Sequence, residues 1–355
     1  VDSDTLIEPE GVLCIIAPML ENHEIGAVTG DVRVANAKVN LLTRLIDLRY
    51  WIAFHLERAA QSYFGSVLCC SGPFSAYRRE VIHAVRDRYT SQRFMGQTCT
   101  YGDDRHLTNL TLALGYKTVF QPFASAMTHV PENLGEYARQ QTRWNKSFFR
   151  ETLWTLRACP NVSLYSLWDM LVQPILFALV FLVLGRLFAI LVSTGDIEFL
   201  GGYLLLLLAM ASLRAVYGLL RTGSVRFGWF LLYGALHIGM LLPLRLKALL
   251  TLSDGSWGTR LRRPTGTFRN FAIWFAAYYS VVAVISMTLL GLGGGVGSSD
   301  SGRPAEMLLL GRSEFHGTVG IVWRPALALF ACLSILFMLG LARERGRGGR
   351  RRPIG

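Results

Sequence analysis

Apolar and polar positions alternate in short blocks up to about residue 160, and beyond it they give way to long apolar runs. In the first part, residues 6–20 are apolar at helical spacing and residues 25–34 read as a strand through Gly30-Asp31. Residues 41–61 form a strongly periodic helix with Arg44, Asp47, Arg49, Glu57 and Arg58 between its apolar positions. Residues 67–70 predict a short strand that enters Ser71-Gly72-Pro73-Phe74, and a helix starts over Ala76-Tyr77-Arg78-Arg79-Glu80. Residues 94–101 read as a loop and 103–114 as a helix with Gly115 at its C-cap. A strand over 117–121 and an amphipathic helix over 134–157 follow.

The second part carries apolar segments at 171–194, 199–220, 227–252, 271–292 and 323–341, near the roughly 17–25 residues that cross a bilayer. Loops 221–226 and 253–270 and the tail 342–355 are basic, which predicts a cytoplasmic side for all three. Parity then makes 227–252 a re-entrant or interfacial piece, with four true spans around it. This segment contains His237 and Arg245, which either line a polar path or, for Arg245, snorkel to the interface. The glycine-rich stretch 291–300 predicts a flexible external loop.

Composition agrees with this division. Of 355 residues, 52% are hydrophobic and 17% charged, too apolar for an ordinary soluble enzyme. The net charge of +12 sits in loops and tail rather than in a patch interleaved with aromatics, which argues against nucleic acid and for anionic membrane lipid. Six cysteines without a CxxC pair fit a reducing cytosolic face.

Three places carry candidate chemistry. Asp2-Ser3-Asp4 puts two carboxylates on one face of an extended segment, as a divalent cation requires, although such a triplet is also a common solvated turn. Gly102-Asp103-Asp104-Arg105 opens a helix whose N-terminus favours ionised carboxylates. One of the pair is expected to cap the helix and the other to act as a base. Gln140, Arg143 and Trp144 share a helix face at i, i+3 and i+4, offering a planar fork for phosphate and a flat surface for a sugar ring. An interfacial helix with a headgroup-level tryptophan has the same pattern.

Taken together and in order, Val1-Asp2-Ser3-Asp4-Thr5, Ser71-Gly72-Pro73, Gly102-Asp103-Asp104-Arg105 and Gln140-x-x-Arg143-Trp144 resemble processive family-2 glycosyltransferases of the chitin and cellulose synthase superfamily. With residues 40–50 and 57–61, Arg143-Trp-Asn-Lys-Ser-Phe-Phe-Arg-Glu151 and Trp257-Gly258-Thr259-Arg260, the chain is most similar to bacterial class I hyaluronan synthases. The resemblance covers residues 1–260. It implies that Asp2 and Asp4 hold Mg²⁺ or Mn²⁺, that Asp104, beside Asp103, is the general base, and that Gln140 and Arg143 contact the pyrophosphate. It further implies that Cys99 lies beside the nucleotide, that Trp144 and the Ser71-Gly72-Pro73 turn meet the acceptor, and that Trp257 and Arg260 belong to a loop covering the donor.

The implied partners are UDP-GlcNAc, UDP-GlcA, the growing polysaccharide and membrane lipids, and the implied location is the plasma membrane with the catalytic domain cytoplasmic. In the family a Rossmann-like half carrying the uridine site precedes the Asp-x-Asp, so the chain is expected to be N-terminally truncated. The expected fold class is therefore α/β, the C-terminal part of a Rossmann-like GT-A domain (1–133), followed by interfacial helices (134–170) and an α-helical transmembrane region (171–341).

Overall fold

Two long parallel strands, β2 (Ile25–Val34) and β6 (Lys117–Thr128), form the spine of the protein. The structure, a computed structural model, describes residues 1–99, 101–158, 163–194 and 198–253. β1 (Leu6–Ile7) pairs antiparallel with the far side of β6, and β3 (Ser75–Tyr77) antiparallel with β2, giving the mixed order β1-β6-β2-β3. Helix α1 (Gly11–Glu21) covers this sheet, burying Ile15 and Met19 against Ala27, Val28, Val32, Phe120 and Ala126. Arg78 holds the end of α1, its guanidinium donating to the carbonyls of Met19, Asn22 and Ile25.

The sheet differs from the sequence expectations where pairing is long-range. Leu6 and Ile7 are a strand, not the start of a helix, because they pair with Met127 and Ala126 and Pro9 delays the helix to Gly11. Strand β6 runs on to Thr128 past Pro122: the register shifts between Gly30 and Asp31 as the chain bulges, then pairing resumes at Ser125. Residues 67–70 form no ladder. Val67 donates to the Thr118 carbonyl at 3.2 Å, but Cys70 N–H turns to the Thr108 hydroxyl at 2.9 Å. Residues 75–77 are strand, and helix α4 (Arg79–Thr90) begins only after Arg78. The expected loop at 94–101 contains a hairpin, β4 (Arg93–Phe94) with β5 (Gln97–Thr98), turned by Met95 and Gly96 at φ 51° and 82°.

Helix α2 (Leu41–Ile52) starts on a reciprocal cap: Asn40 Oδ1 accepts Thr43 N–H at 3.0 Å, and Thr43 Oγ1 accepts Asn40 N–H at 3.1 Å. Such a cap contributes about 1 kcal/mol. Asn40 also donates to the Glu132 carbonyl at 2.8 Å, tying α2 to the segment that enters α6 (Leu134–Ala158). The helix continues through a π-helical turn (Ala53–Arg58) into α3 (Ala59–Tyr63), as the periodicity of residues 41–61 predicts. Helix α5 (Asp103–Ala113) ends before Gly115 at φ 86°, the left-handed C-cap position.

Residues 171–194 and 199–220 lie in helices α7 (Leu164–Thr194) and α8 (Glu198–Thr222). Among the described residues, one helical run of 26 residues, Val225–Leu250, is long and apolar enough to cross a bilayer by length and composition. This is the segment that parity reads as re-entrant. It is built from a 3-10 turn (Val225–Trp229), α9 (Phe230–Leu236), a π turn (His237–Leu241) and α10 (Leu242–Leu250). The segments 271–292 and 323–341, Trp257, Arg260 and the arginine-rich tail lie outside the described residues.

Candidate active site

The second carboxylate of the Gly-Asp-Asp triplet is held on both oxygens. Asp104 Oδ1 accepts Arg105 N–H at 2.7 Å. Its Oδ2 faces two donors from the segment before β3, Gly72 N–H at 3.4 Å and the Cys69 thiol at 3.5 Å. Thr108 locks the two segments together one turn later, donating to the Asp104 carbonyl at 2.7 Å and accepting Cys70 N–H at 2.9 Å. Neither aspartate caps α5. Gly102, left-handed at φ 78°, occupies that position, so both carboxylates stay in the first turn, where the helix dipole favours their charge.

Asp2 reaches the same place from the N-terminal segment. A Cβ on Gly72 would lie 3.1 Å from Asp2 Oδ1, so the Ser71-Gly72-Pro73 turn meets this carboxylate at its least bulky residue. Burial, then Asp4, with Asp104 and Asp103 adding to it, pushes the Asp2 carboxyl above its usual range. The charges of Asp4, Asp104 and Asp103 thus all act on Asp2, opposed in part by the N-terminal amine. Among the described residues no three His, Cys, Asp or Glu side chains form a closed metal cage. Asp2 and Asp4 supply hard carboxylate oxygens of the kind that Mg²⁺ and Mn²⁺ take, ions that complete their shells with phosphate and water. The residues present fit such an ion.

Trp144 projects from α6 with 47% of its surface exposed, its ring 6.3 Å from that of Tyr50 on α2. Tyr50 lies close enough to Asp4 for that charge, after burial, to help push its phenol up. Tyr50 thus links the aromatic face of α6 to the carboxylates, a link the sequence did not signal. Gln140 Oε1, one turn before Trp144, is buried without a hydrogen-bond partner among the described residues. Arg143 is half-buried, and burial with neighbouring Arg139 lowers its affinity for the proton. Cys99 lines a small cleft with Tyr101, Arg150, Leu252 and Ser253, its thiol pushed up by burial.

A buried network fixes α5 against α6. Glu151 accepts from Gln92 at 2.6 Å and from Arg150 at 3.2 Å on one oxygen, and lies 2.8 Å from His106 Nδ1 on the other. Burial alone would raise the Glu151 carboxyl, but His106 and Arg150 hold it below its usual range. Arg150 also donates to the Tyr101 carbonyl at 2.5 Å, steadying the residue that leads into Gly102.

Beyond Tyr50, polar side chains continue between α2 and helices α6–α10. Arg49 and Glu57 pair at 2.9 Å, and Gln61 donates to Asp169 of α7 at 2.7 Å. Arg49 and Glu57 retain 32% and 41% side-chain exposure. Arg245 lies over the rings of Phe148, Phe149 and Phe177 at 5.3, 5.9 and 5.6 Å. Arg245 Nε and Arg49 Nη1 are buried without a hydrogen-bond partner among the described residues. A separate cleft of about 400 Å³, lined by Asp31, Asp47, Trp51, His55 and Arg226, shares only Tyr50 with this arrangement.

The chitin synthase family profile matches residues 1–270. An N-acetylglucosaminyltransferase of Mesorhizobium japonicum is 39% identical over 260 residues, covering 73% of this chain and 61% of its own. Another N-acetylglucosaminyltransferase, from Rhizobium sp. (strain N33), is 40% identical over 273 residues, covering 76% of this chain and 59% of its own. A hyaluronan synthase of Streptococcus pyogenes is 39% identical over 260 residues, covering 73% and 61%. The matched region thus spans about 60% of the length of these relatives. With its carboxylate and aromatic motifs inside the matched region, the chain belongs to the chitin synthase family of family-2 glycosyltransferases.

Proposed function

We propose that this chain is part of a membrane-embedded, processive, inverting β-glycosyltransferase, and that its product is hyaluronan assembled from UDP-GlcNAc and UDP-GlcA. The observation that carries the reaction class is the convergence of Asp2, Gly72 and Asp104. Asp104 takes the proton of the acceptor hydroxyl as that oxygen attacks C1 of the donor sugar. The C1–O bond to UDP breaks with its electron pair leaving on the diphosphate, and the single displacement inverts an α-linked donor to a β-linkage. A Mg²⁺ or Mn²⁺ ion at Asp2 and Asp4 supplies, when bound, positive charge against the leaving diphosphate.

Gln140 and Arg143 bind the pyrophosphate: they share a face of α6, where the Gln140 amide N–H and the planar guanidinium of Arg143 supply the donors that phosphate oxygens need. Trp144 and Tyr50 hold the acceptor sugar by its apolar face. Trp257 and Arg260 belong to the loop that covers the donor, and Cys99 lies beside Ser253, where that loop begins.

The GT-A reading of the α/β part, the multi-pass plasma-membrane location and the cytoplasmic catalytic side belong to the same proposal. The first rests on the mixed sheet and the family match, the other two on the apolar segments and their basic loops.

Two relatives named N-acetylglucosaminyltransferase favour a second reading, a synthase of chitin-like oligosaccharides. The buried guanidinium atoms of Arg49 and Arg245 favour the first, because a product with carboxylates satisfies donors that a neutral chain leaves to weaker partners. Supplying UDP-GlcNAc with and without UDP-GlcA separates the two: hyaluronan requires both, and polymer from UDP-GlcNAc alone supports the chitin reading.

A further inference from the structure

Cys69 stands next to the candidate base without a role in the scheme above. We propose that it is a positioning residue for Asp104: its thiol donates to Oδ2, so that this oxygen is aimed by a weak donor. The inference rests on the reading of Asp104 as the base.

The geometry gives Asp104 three donors of unequal strength. Arg105 N–H at 2.7 Å holds Oδ1 tightly, within the helix turn. Gly72 N–H at 3.4 Å and Cys69 Sγ at 3.5 Å both address Oδ2 from another segment of the chain. A carboxylate gripped by several strong donors is a poor base, since each bond stabilises the ion over the acid. A thiol is among the weakest protein donors. It sets the direction of Oδ2 without adding a strong bond to it.

The thiol must stay protonated to do this. Burial first, and the Asp104 charge second, push Cys69 up to about 11, so it is a neutral donor at physiological pH. Arg105 and Arg58 face the same thiol and oppose the shift, Arg58 Nε donating to the Cys69 carbonyl at 3.2 Å. Among the described residues, the other titratable groups facing this pair are Asp2, Asp103, Cys70, Tyr77 and Tyr89. Cys70 differs from its neighbour. It is fully buried in the core, and its N–H donates to the Thr108 hydroxyl of α5 at 2.9 Å.

Two readouts test the assignment in the protein in its native membranes. Cys69→Ala should lower kcat about three- to tenfold with KM for both UDP-sugars unchanged, and Cys69→Ser, which keeps a donor, should recover most of that loss. Equal kcat in all three proteins, or a serine variant no better than alanine, overturns the positioning role. The second readout uses iodoacetamide alkylation of Cys69, followed by mass spectrometry at about pH 8.5, and does not depend on how the alanine variant folds. Asp104→Asn should speed it about tenfold, because removing the carboxylate charge lets the thiol ionise more readily. An unchanged alkylation rate removes the contact itself, even where synthesis is lost. Retained synthesis in Asp104→Asn removes the base reading instead, and with it the catalytic meaning of Cys69.

Discussion

Gly102 and Ser147 are in contact so close that no side chain fits between them: a Cβ on Gly102 would sit 2.0 Å from Ser147 Oγ. This contact joins the start of α5, which carries Asp103 and Asp104, to the helix that carries Gln140, Arg143 and Trp144. The two motifs are 37 residues apart from Asp103 to Gln140 in sequence, and this seam sets their spacing in space.

Gly102→Ala should therefore fail for two reasons. The left-handed backbone at φ 78° costs a non-glycine residue about 1–2 kcal/mol, and the methyl group must also push α6 away. Elongation should be lost and the melting temperature should fall. Adding Ser147→Gly should recover part of the activity by relieving the contact, while the backbone cost remains. Full activity in the single variant contradicts this account of the seam.

Glu151 predicts how the seam responds to acid. Its folded carboxyl is held below the ordinary value of 4.5, so it contributes stability that is fully present above that value and is lost as pH falls through its folded pKa. Thermal unfolding between about pH 6 and pH 3 should show this loss in the wild type and a shallower slope in Glu151→Gln. Glu151→Ala, which strands His106, Gln92 and Arg150 in a buried site, should cost about 3–5 kcal/mol at neutral pH.

The carboxylate cluster predicts a response to cations. Because burial and Asp4 raise the Asp2 carboxyl, its ionised form opposes folding at neutral pH, and that opposition fades as pH falls. Mg²⁺ or Mn²⁺ should raise the melting temperature at neutral pH and do so less in acid. Asp2→Asn should remove the cation-dependent shift. A shift that persists in Asp2→Asn places the ion elsewhere.

Trp144 predicts a separation of binding from stability. Its ring is half exposed, so Trp144→Ala should leave the melting temperature within about a degree or two of wild type. Acceptor binding should weaken about tenfold, as the loss of an aromatic stacking surface implies. Tyr50→Phe, which keeps the ring beside Trp144, should have a much smaller effect.

The residues that share local periodicity were legible in the sequence. The faces of α2, α5 and α6, the glycine after α5 and strand β2 all follow from spacing and capping rules. What escaped depends on partners far along the chain. The pairing of Leu6 with Met127 across 121 residues made a strand of what looked helical, and Pro122 concealed a bulge in a strand that continues. At the site, Asp2, Asp4, Asp104 and Trp144 stand out as motif residues. Tyr50, Cys69 and Glu151 do not, because each acts through a contact made by another element. The expectation that an aspartate caps α5 failed because Gly102 takes that position, where the left-handed backbone and the contact with Ser147 each favour a residue without a side chain.

The most direct test of the central claim is elongation by Asp104→Asn in membranes, measured as incorporation of both labelled UDP-sugars beside a parallel UDP-binding measurement. The account predicts that UDP binding persists and incorporation is abolished, because the acceptor hydroxyl has lost the group that takes its proton. Continued incorporation at a rate near wild type would contradict it.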